Sequence, residues 1–418
     1  MEKKILVRRF FGVLGPGLIT GAADDDPSGI ATYSMAGAKL GTGMLWTALL
    51  TWPLMATVQT MCARIGMVTG MGLMRSLRKR FPMPIIVLFS VALFLANTIN
   101  VGADLLGMAD AAEMLVGIKA GFFVVVFGIV ITVTSVKCNY QQIARIMKWF
   151  CLALFAYVLT GFIIKPEWGV VARDTVVPSL PHGHEALAML VAILGTTISP
   201  YLFVWQASQE VEEEKAHGLN RVNLREGASQ GEINNRALDV GAGTFFSNLV
   251  MYFIILTTGL TLHRHGITDI ETSRQAAEAL RPLAGSFSAS LYTVGIIAVG
   301  FLSIPTLAGS AAYAFAETFA WRQGLNEKPK AARRFYAVFA LSMGAGMALY
   351  FFKVNPVKAL YWTAIINGVL APFLLTAIVI IASDRKLMKK QPSSLAARVC
   401  VGMTALLMFA AAAGMFIF

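Results

Sequence analysis

Apolar runs of about twenty residues follow one another along this chain with few polar intervals, and that succession limits what it can fold into. A run of that length crosses ~30 Å of hydrocarbon as a helix rising roughly 1.5 Å per residue. Eleven are read here: 10–39, 42–66, 84–114, 119–136, 142–164, 186–209, 238–262, 287–316, 333–352, 356–383 and 396–418. They fill the 418 residues from end to end, predicting an all-α polytopic membrane protein without a separate soluble domain. Charged residues make up 14% of the chain, whereas a soluble globular chain carries about 25%. The first run shows no small-residue cleavage site after a short apolar core, so it is expected to be a retained helix.

Basic residues give the orientation. Of the 35 Lys and Arg, 26 lie in or beside the N-terminus and the loops after segments 2, 4, 6, 8 and 10. Lys and Arg accumulate on the cytoplasmic side. The expectation is therefore a multi-pass protein of the cell (inner) membrane, N-terminus cytoplasmic and C-terminus extracytoplasmic. The net charge of +12 becomes a topology signal facing anionic headgroups. No basic domain is present to bind nucleic acid. No P-loop, HExxH or Ser-His-Asp pattern occurs, so neither ATP-driven pumping nor an enzymatic activity is expected, and no cofactor. The four cysteines, Cys62, Cys138, Cys151 and Cys400, show no paired spacing and read as small buried hydrophobes. Nothing in the sequence identifies a protein partner.

The informative places are where helices break. Residues 21–32 read GAADDDPSGIAT, three carboxylates on a Pro-Ser-Gly breaker inside the first apolar segment. A carboxylate at mid-bilayer costs about 2.5–3.5 kcal/mol on insertion scales, so three facing lipid would cost on the order of 10 kcal/mol. Such residues persist where they face water or an ion path. Pro27 lacks an N–H and pushes Asp26 out of helical geometry, and Gly29 loosens the backbone further. Segment 1 is therefore expected to be two half-helices, about 10–22 and 29–39, whose freed carbonyls need a partner. Placing Asp24, Asp25 and Asp26 in an external loop would leave Phe10–Ala23, fourteen residues, too short to span.

A second break sits five segments later, in GTTISPY at 195–201, where Pro200 interrupts an apolar span behind small hydroxyl residues. Pro53 and Pro305, without such company, read as simple kinks. Breaks in segments 1 and 6 are what two inverted five-helix repeats produce, with the substrate at the midplane between them. The repeats would cover 10–164 and 186–383, and 396–418 would be an additional eleventh helix. Half-helix ends and loose carbonyls meeting at one point make an ion site. The acids are thus expected to face a central cation.

These residues resemble the Nramp divalent-metal transporters. The stretch GPGLITGAADDDPSGIAT is similar to that family's first helix, where Gly-Pro-Gly precedes Asp-Pro-Gly-Asn; TTISPY resembles its Ala-x-x-Met-Pro-His; and Asp104 in GADLLG resembles the acid of its Ala-Glu-x-x-Gly. The resemblance implies a LeuT-type fold and transport of divalent metal by alternating access. It also exposes departures. Asp26 and Pro27 match, but the family's ligating Asn is Gly29, its Met is Ser199, its His is Tyr201 and its carbonyl-bearing Ala is Thr196.

The departures favour a hard ion. Thioether sulfur suits transition metals, whereas carboxylate, carbonyl, hydroxyl and water suit hard cations. Mg²⁺ keeps several waters and is held by one or two carboxylates, so the pattern resembles the Nramp-related magnesium transporters. Asp26 is expected as the central ligand, with carbonyls near Thr196 and the Ser199 hydroxyl, and a site enlarged by the missing side chain at Gly29. Asp24 and Asp25 would add field or indirect contacts. Asp104, Tyr201, Asn248 and Asn367 are candidates for the surrounding shell or ion path; helix-interface bonding is the competing reading for the two asparagines. Losing the histidine at Tyr201 removes the side chain best placed for protons, so weak or absent proton coupling is expected. The alternatives are a proton-coupled manganese or iron transporter with an altered site, and an organic-substrate symporter of the same fold. Glu210 and Glu212–Glu214 read as a solvated helix end, and the His pairs at 182–184 and 263–265 as solvated loops.

Overall fold

The computed structural model describes residues 20–21, 23–137, 152–180 and 183–417, and every regular element among them is helical. Residues 20–21 and 23–24 are helical, and Asp25 and Asp26 leave the helix. The chain then runs through α1 (Pro27–Leu40), α2 (Leu45–Thr69), α3 (Met83–Val116), α4 (Ala120–Lys137), α5 (Phe155–Ile163), α6 (His184–Thr197), α7 (Pro200–Ala216), α8 (Gln230–Thr261), α9 (Ser288–Thr318), α10 (Arg333–Ala348), α11 (Pro356–Ser383) and α12 (Leu395–Ile417). Among the described residues, eight helical stretches are long and apolar enough to cross a membrane, α6 and α7 together forming one of them. Segments 1 and 5 lie partly outside the described residues. Segment 2 is present as α2, 25 residues long, with Thr47, Thr51 and Gln59 buried among its neighbours.

Both breaks exist, and each is short. The expected unwound stretch of segment 1 shrinks to Asp25 and Asp26, because Asp26 (φ −70°, ψ 168°) acts as the N-cap and Pro27 starts α1 at once. A proline at the first helical position loses no hydrogen bond, since that N–H would be unpaired anyway. Segment 6 breaks at Ile198 and Ser199, and Pro200 opens α7 in the same way. Pro53 and Pro305 lie inside continuous helices, as simple kinks should. The other departure is α8, which begins eight residues before its apolar segment. A capping box, Ser229 with Glu232, starts it on a polar stretch.

Packing follows a five-segment offset. The described part of segment 1 touches segment 6, α2 touches α8, α3 packs along α9, and α4 touches α10. One group gathers α1, α2, α7 and α8, while the other gathers α3, α4, α9 and α10. The broken segments therefore sit where the two groups face each other. Small residues set the closest approach: a Cβ on Gly195 of α6 would lie 2.1 Å from the Ala364 carbonyl oxygen and 2.3 Å from the Gly368 nitrogen of α11. Gly195→Leu should therefore destabilise the protein by at least about 1–3 kcal/mol, the usual cost of overpacking, seen as a lower melting temperature in detergent. Gly169→Ala, where nothing lies within 4 Å, should leave it unchanged.

Candidate cation site

The two breaks interlock. The Tyr201 hydroxyl, in the first turn of α7, donates to the Ala23 carbonyl at 3.2 Å. Across the same junction the Tyr33 hydroxyl of α1 meets the Thr197 Oγ1 of α6 at 3.3 Å. Thr197 Oγ1 gives its own hydrogen to the Ile193 carbonyl, so Tyr33 is the donor of that pair. Ser199 Oγ donates back to the carbonyls of Gly195 and Thr196, at 2.8 and 2.7 Å. It thereby closes the end of α6, and its lone pairs remain as acceptors.

Asp26 binds its own helix and a neighbour at the same time. Its Oδ1 accepts from the Gly29 N–H at 2.6 Å, capping α1. Its Oδ2 accepts from Asn100 Nδ2 of α3 at 3.1 Å. The same amide nitrogen donates to Asp104 Oδ2 at 3.3 Å, and Ser303 Oγ of α9 donates to that oxygen as well. Asn100 Oδ1 in turn accepts from Asn367 Nδ2 of α11 at 3.4 Å. One asparagine therefore ties two buried carboxylates to each other and to segment 10. Asp104 Oδ1 and Asn367 Oδ1 are buried without a hydrogen-bond partner.

The aspartate trio is divided. Asp24 and Asp25 turn to α8, where Ser247 Oγ contacts Asp24 Oδ2 at 2.8 Å and Asp25 Oδ1 at 3.0 Å. Asp26 alone points to α3. Asn248, next to Ser247, bonds Thr51 of α2 and the Thr244 carbonyl, which makes it a link between α8 and α2. The space at Gly29 is also less open than its missing side chain implies. A Cβ there would meet Thr196 Oγ1 at 3.2 Å and Asp26 Oδ1 at 3.3 Å. Glycine lets both the Thr196 hydroxyl and the Asp26 carboxylate crowd position 29.

Among the described residues no three His, Cys, Asp or Glu side chains are grouped to hold a metal ion. An ion at Asp26 would accordingly be held by one or two carboxylates, completed by hydroxyl, amide, carbonyl or water oxygens. Such a donor set is hard. Asn100 was not singled out from the sequence. Its position four residues before Asp104, which places both on one helix face, was the available signal. Ser247 and Ser303 carried none, since their neighbours come from distant segments.

The Glu cluster departs from its expectation. Glu210 and Glu212 are 2% and 7% exposed, because α7 continues to Ala216, packed against α2 and α9, and the Arg236 side chain of α8 reaches Glu210. Arg236 of α8 binds Glu210 Oε2 and Asp239 Oδ2, both at 2.8 Å, and also Glu213. Beside this hub lies a cavity of about 450 Å³ lined by Glu213, Glu214, Arg225 and Arg236 among others. Of the histidines, His263 contacts the Ala38 carbonyl, His184 begins α6 and His182 lies outside the described residues. Cys62 and Cys400 are free, and Cys138 and Cys151 lie outside the described residues.

Comparison with known proteins gives this chain relatives and a fold. A family model described as natural resistance-associated macrophage protein-like (Nramp) matches residues 17–418. A divalent metal cation transporter, MntH, of Chromohalobacter salexigens is 27% identical over 308 residues, 71% of this chain and 68% of that protein. The crystal structure of an Eremococcus coleocola manganese transporter superposes with a TM-score of 0.78 at 14% identity, covering 97% of this chain and 86% of that one. Mhp1, a nucleobase-cation-symport-1 family transporter, superposes with a TM-score of 0.56 at 14% identity, over 95% and 92% of the two chains. The fold is thus the LeuT-type arrangement of five plus five helices with an eleventh added, broken in segments 1 and 6. Gly29→Asn should reduce transport on the order of tenfold, because Thr196 must give way, a repacking of about 1–3 kcal/mol. Adding Thr196→Ala should recover part of it in a vesicle uptake assay.

Proposed function

We infer, for a chain that belongs to the Nramp family, that it imports divalent cations by alternating access and that partly hydrated Mg²⁺ is its preferred substrate. Members of the family are transporters, not enzymes, and the chain is a multi-pass membrane protein. The observation that carries the reading is the Asp26–Asn100–Asp104 cluster: two buried carboxylates whose side-chain neighbours are amide and hydroxyl groups. A site of one or two carboxylates and neutral oxygens suits an ion that keeps much of its water.

In this reading Asp26 is the central ligand, assisted by the Ser199 hydroxyl and carbonyls near Thr196. Asp104, Tyr201 and Asn367 surround it. Asp24 and Asp25 contribute negative potential from the α8 side, and Asn248 braces the helices. The two repeats take residues 10–164 and 186–383, with 396–418 outside them. The distribution of Lys and Arg supports a cytoplasmic N-terminus and an extracytoplasmic C-terminus in the inner membrane.

Proton coupling is weak or absent in this account. A divalent cation moving inward down 100 mV gains about 4.6 kcal/mol, roughly three decades of accumulation. No proton is required for that. Manganese is the second reading, favoured by the manganese transporter and MntH relatives.

Reconstituted uptake of Mg²⁺, Mn²⁺ and Ca²⁺ measured side by side tests the assignment. Mg²⁺ uptake should exceed Mn²⁺ uptake and should be abolished by Asp26→Ala; high-affinity Mn²⁺ uptake lost in the same variant would favour the second reading. Ser199→Met should shift preference toward Mn²⁺, and Mg²⁺ uptake should not acidify the vesicle lumen. Robust Mg²⁺-driven proton import would contradict the coupling assignment, and uptake insensitive to every divalent ion would point to an organic substrate.

A further inference from the structure

We propose that Asn100 is a ligand of the transported cation, turning its amide oxygen onto the ion while Asn367 turns in concert. The proposal rests on the reading of Asp26 as the central ligand. Asn100 Nδ2 stands 3.1 Å from Asp26 Oδ2 and 3.3 Å from Asp104 Oδ2. A cation shared by these two carboxylates would occupy that same region. In the arrangement described, the two amide hydrogens give each carboxylate a partly positive neighbour in a site 0% to 2% exposed.

An arriving cation cannot coexist with that arrangement, because the N–H hydrogens would face it. An amide has a donor end and an acceptor end, and a half-turn about χ2 exchanges them. The torsion is broad and roughly two-fold, so the turn strains no rotamer. Once turned, Asn100 presents Oδ1 to the ion and an N–H toward Asn367. Asn367 now points its own Nδ2 at Asn100, at 3.4 Å, and two donors would collide. Its other end supplies the remedy: Asn367 Oδ1 is buried without a partner, and turning Asn367 brings that oxygen to Asn100 as the acceptor it then needs.

The pair is therefore a two-position relay from segment 3 to segment 10, set by whether an ion lies between Asp26 and Asp104. It also supplies an amide oxygen to a site where segment 1 offers only backbone at Gly29. A fixed structural cross-link would behave differently: its loss would lower stability without altering how the ion is bound.

The test is calorimetric titration of Mg²⁺ and Mn²⁺ into the purified full-length protein, for wild type, Asn100→Leu, Asn100→Ser, Asn367→Leu, the Asn100→Leu/Asn367→Leu double variant and Asp26→Ala. Loss of Asn100 should weaken binding about 10- to 100-fold, the range seen when groups supporting a metal site are removed. Asn367→Leu should weaken it less, and the double variant should be no worse than Asn100→Leu alone. Should Asn100→Leu fail to fold, Asn100→Ser carries the comparison. A readout independent of stability is Mn²⁺ bound to protein labelled with ¹³C at the asparagine side-chain carbonyl, in which a ¹³C hyperfine coupling is expected and should vanish in Asn100→Ser. Wild-type affinity in both Asn100 variants, or absence of the coupling, overturns the proposal while Asp26→Ala still abolishes binding. Unchanged binding in Asp26→Ala overturns the central-ligand reading itself, and this proposal with it.

Discussion

A buried aspartate that caps the helix it begins is the contact on which the rest depends. Asp26 Oδ1 satisfies the Gly29 N–H, one of the unpaired donors at the start of α1. Its second oxygen reaches α3 through Asn100. The positive end of α1 thus faces the one carboxylate of the trio that points away from α8. Pro27 favours the geometry, since it lacks the N–H that a continuous helix would use at this point and suits the first position of a new one. From this cap follow the break and the approach of α3. So does the meeting with segment 6, whose break the Tyr201 and Tyr33 hydroxyls latch to segment 1.

Charge is distributed in two ways along the same axis. Near the broken helices Asp24, Asp25, Asp26 and Asp104 are all buried. Among the described residues the ion pairs lie elsewhere. Hydroxyl and amide dipoles are the positive groups bonded to these carboxylates. At the end of α7 the carboxylates do have a fixed counter-charge, and Arg236 pairs with Glu210, Glu213 and Asp239 from within the chain. Buried carboxylates left without a fixed counter-charge are costly and leave room for a mobile one. A permanently paired cluster is a structural joint, and the Arg236 hub joins α7 to α8.

The sequence displayed the membrane-spanning helices and both breaks because each has a local cause: an apolar run long enough to span, or a proline behind a capping residue. The register of segment 10, 356–383, coincided with α11 because Asn355 and Pro356 form a cap that can be read in the chain. The site was legible only in part. Asp26, Ser199 and Thr196 could be found because they sit at the breaks. The division of the trio could not, because it depends on Ser247, 222 and 223 residues away from the two acids it binds. The Asn100 bond to Asp26 was hidden by the same non-locality, though its spacing from Asp104 was not, and Glu210 and Glu212 were misread as solvated because their cover comes from α8 and the segment after α9. Residue type alone does not announce such partners.

Locating the ion is the most direct measurement. Anomalous diffraction from crystals soaked with Mn²⁺ as a heavier stand-in, repeated with competing Mg²⁺, would place it within the protein. The account predicts one peak between the Asp26 and Asp104 carboxylates, with the Asn100 amide oxygen toward it, and loss of the peak as Mg²⁺ is raised. A peak beside Asp24, Asp25 and Ser247 with none at Asp26 would contradict it.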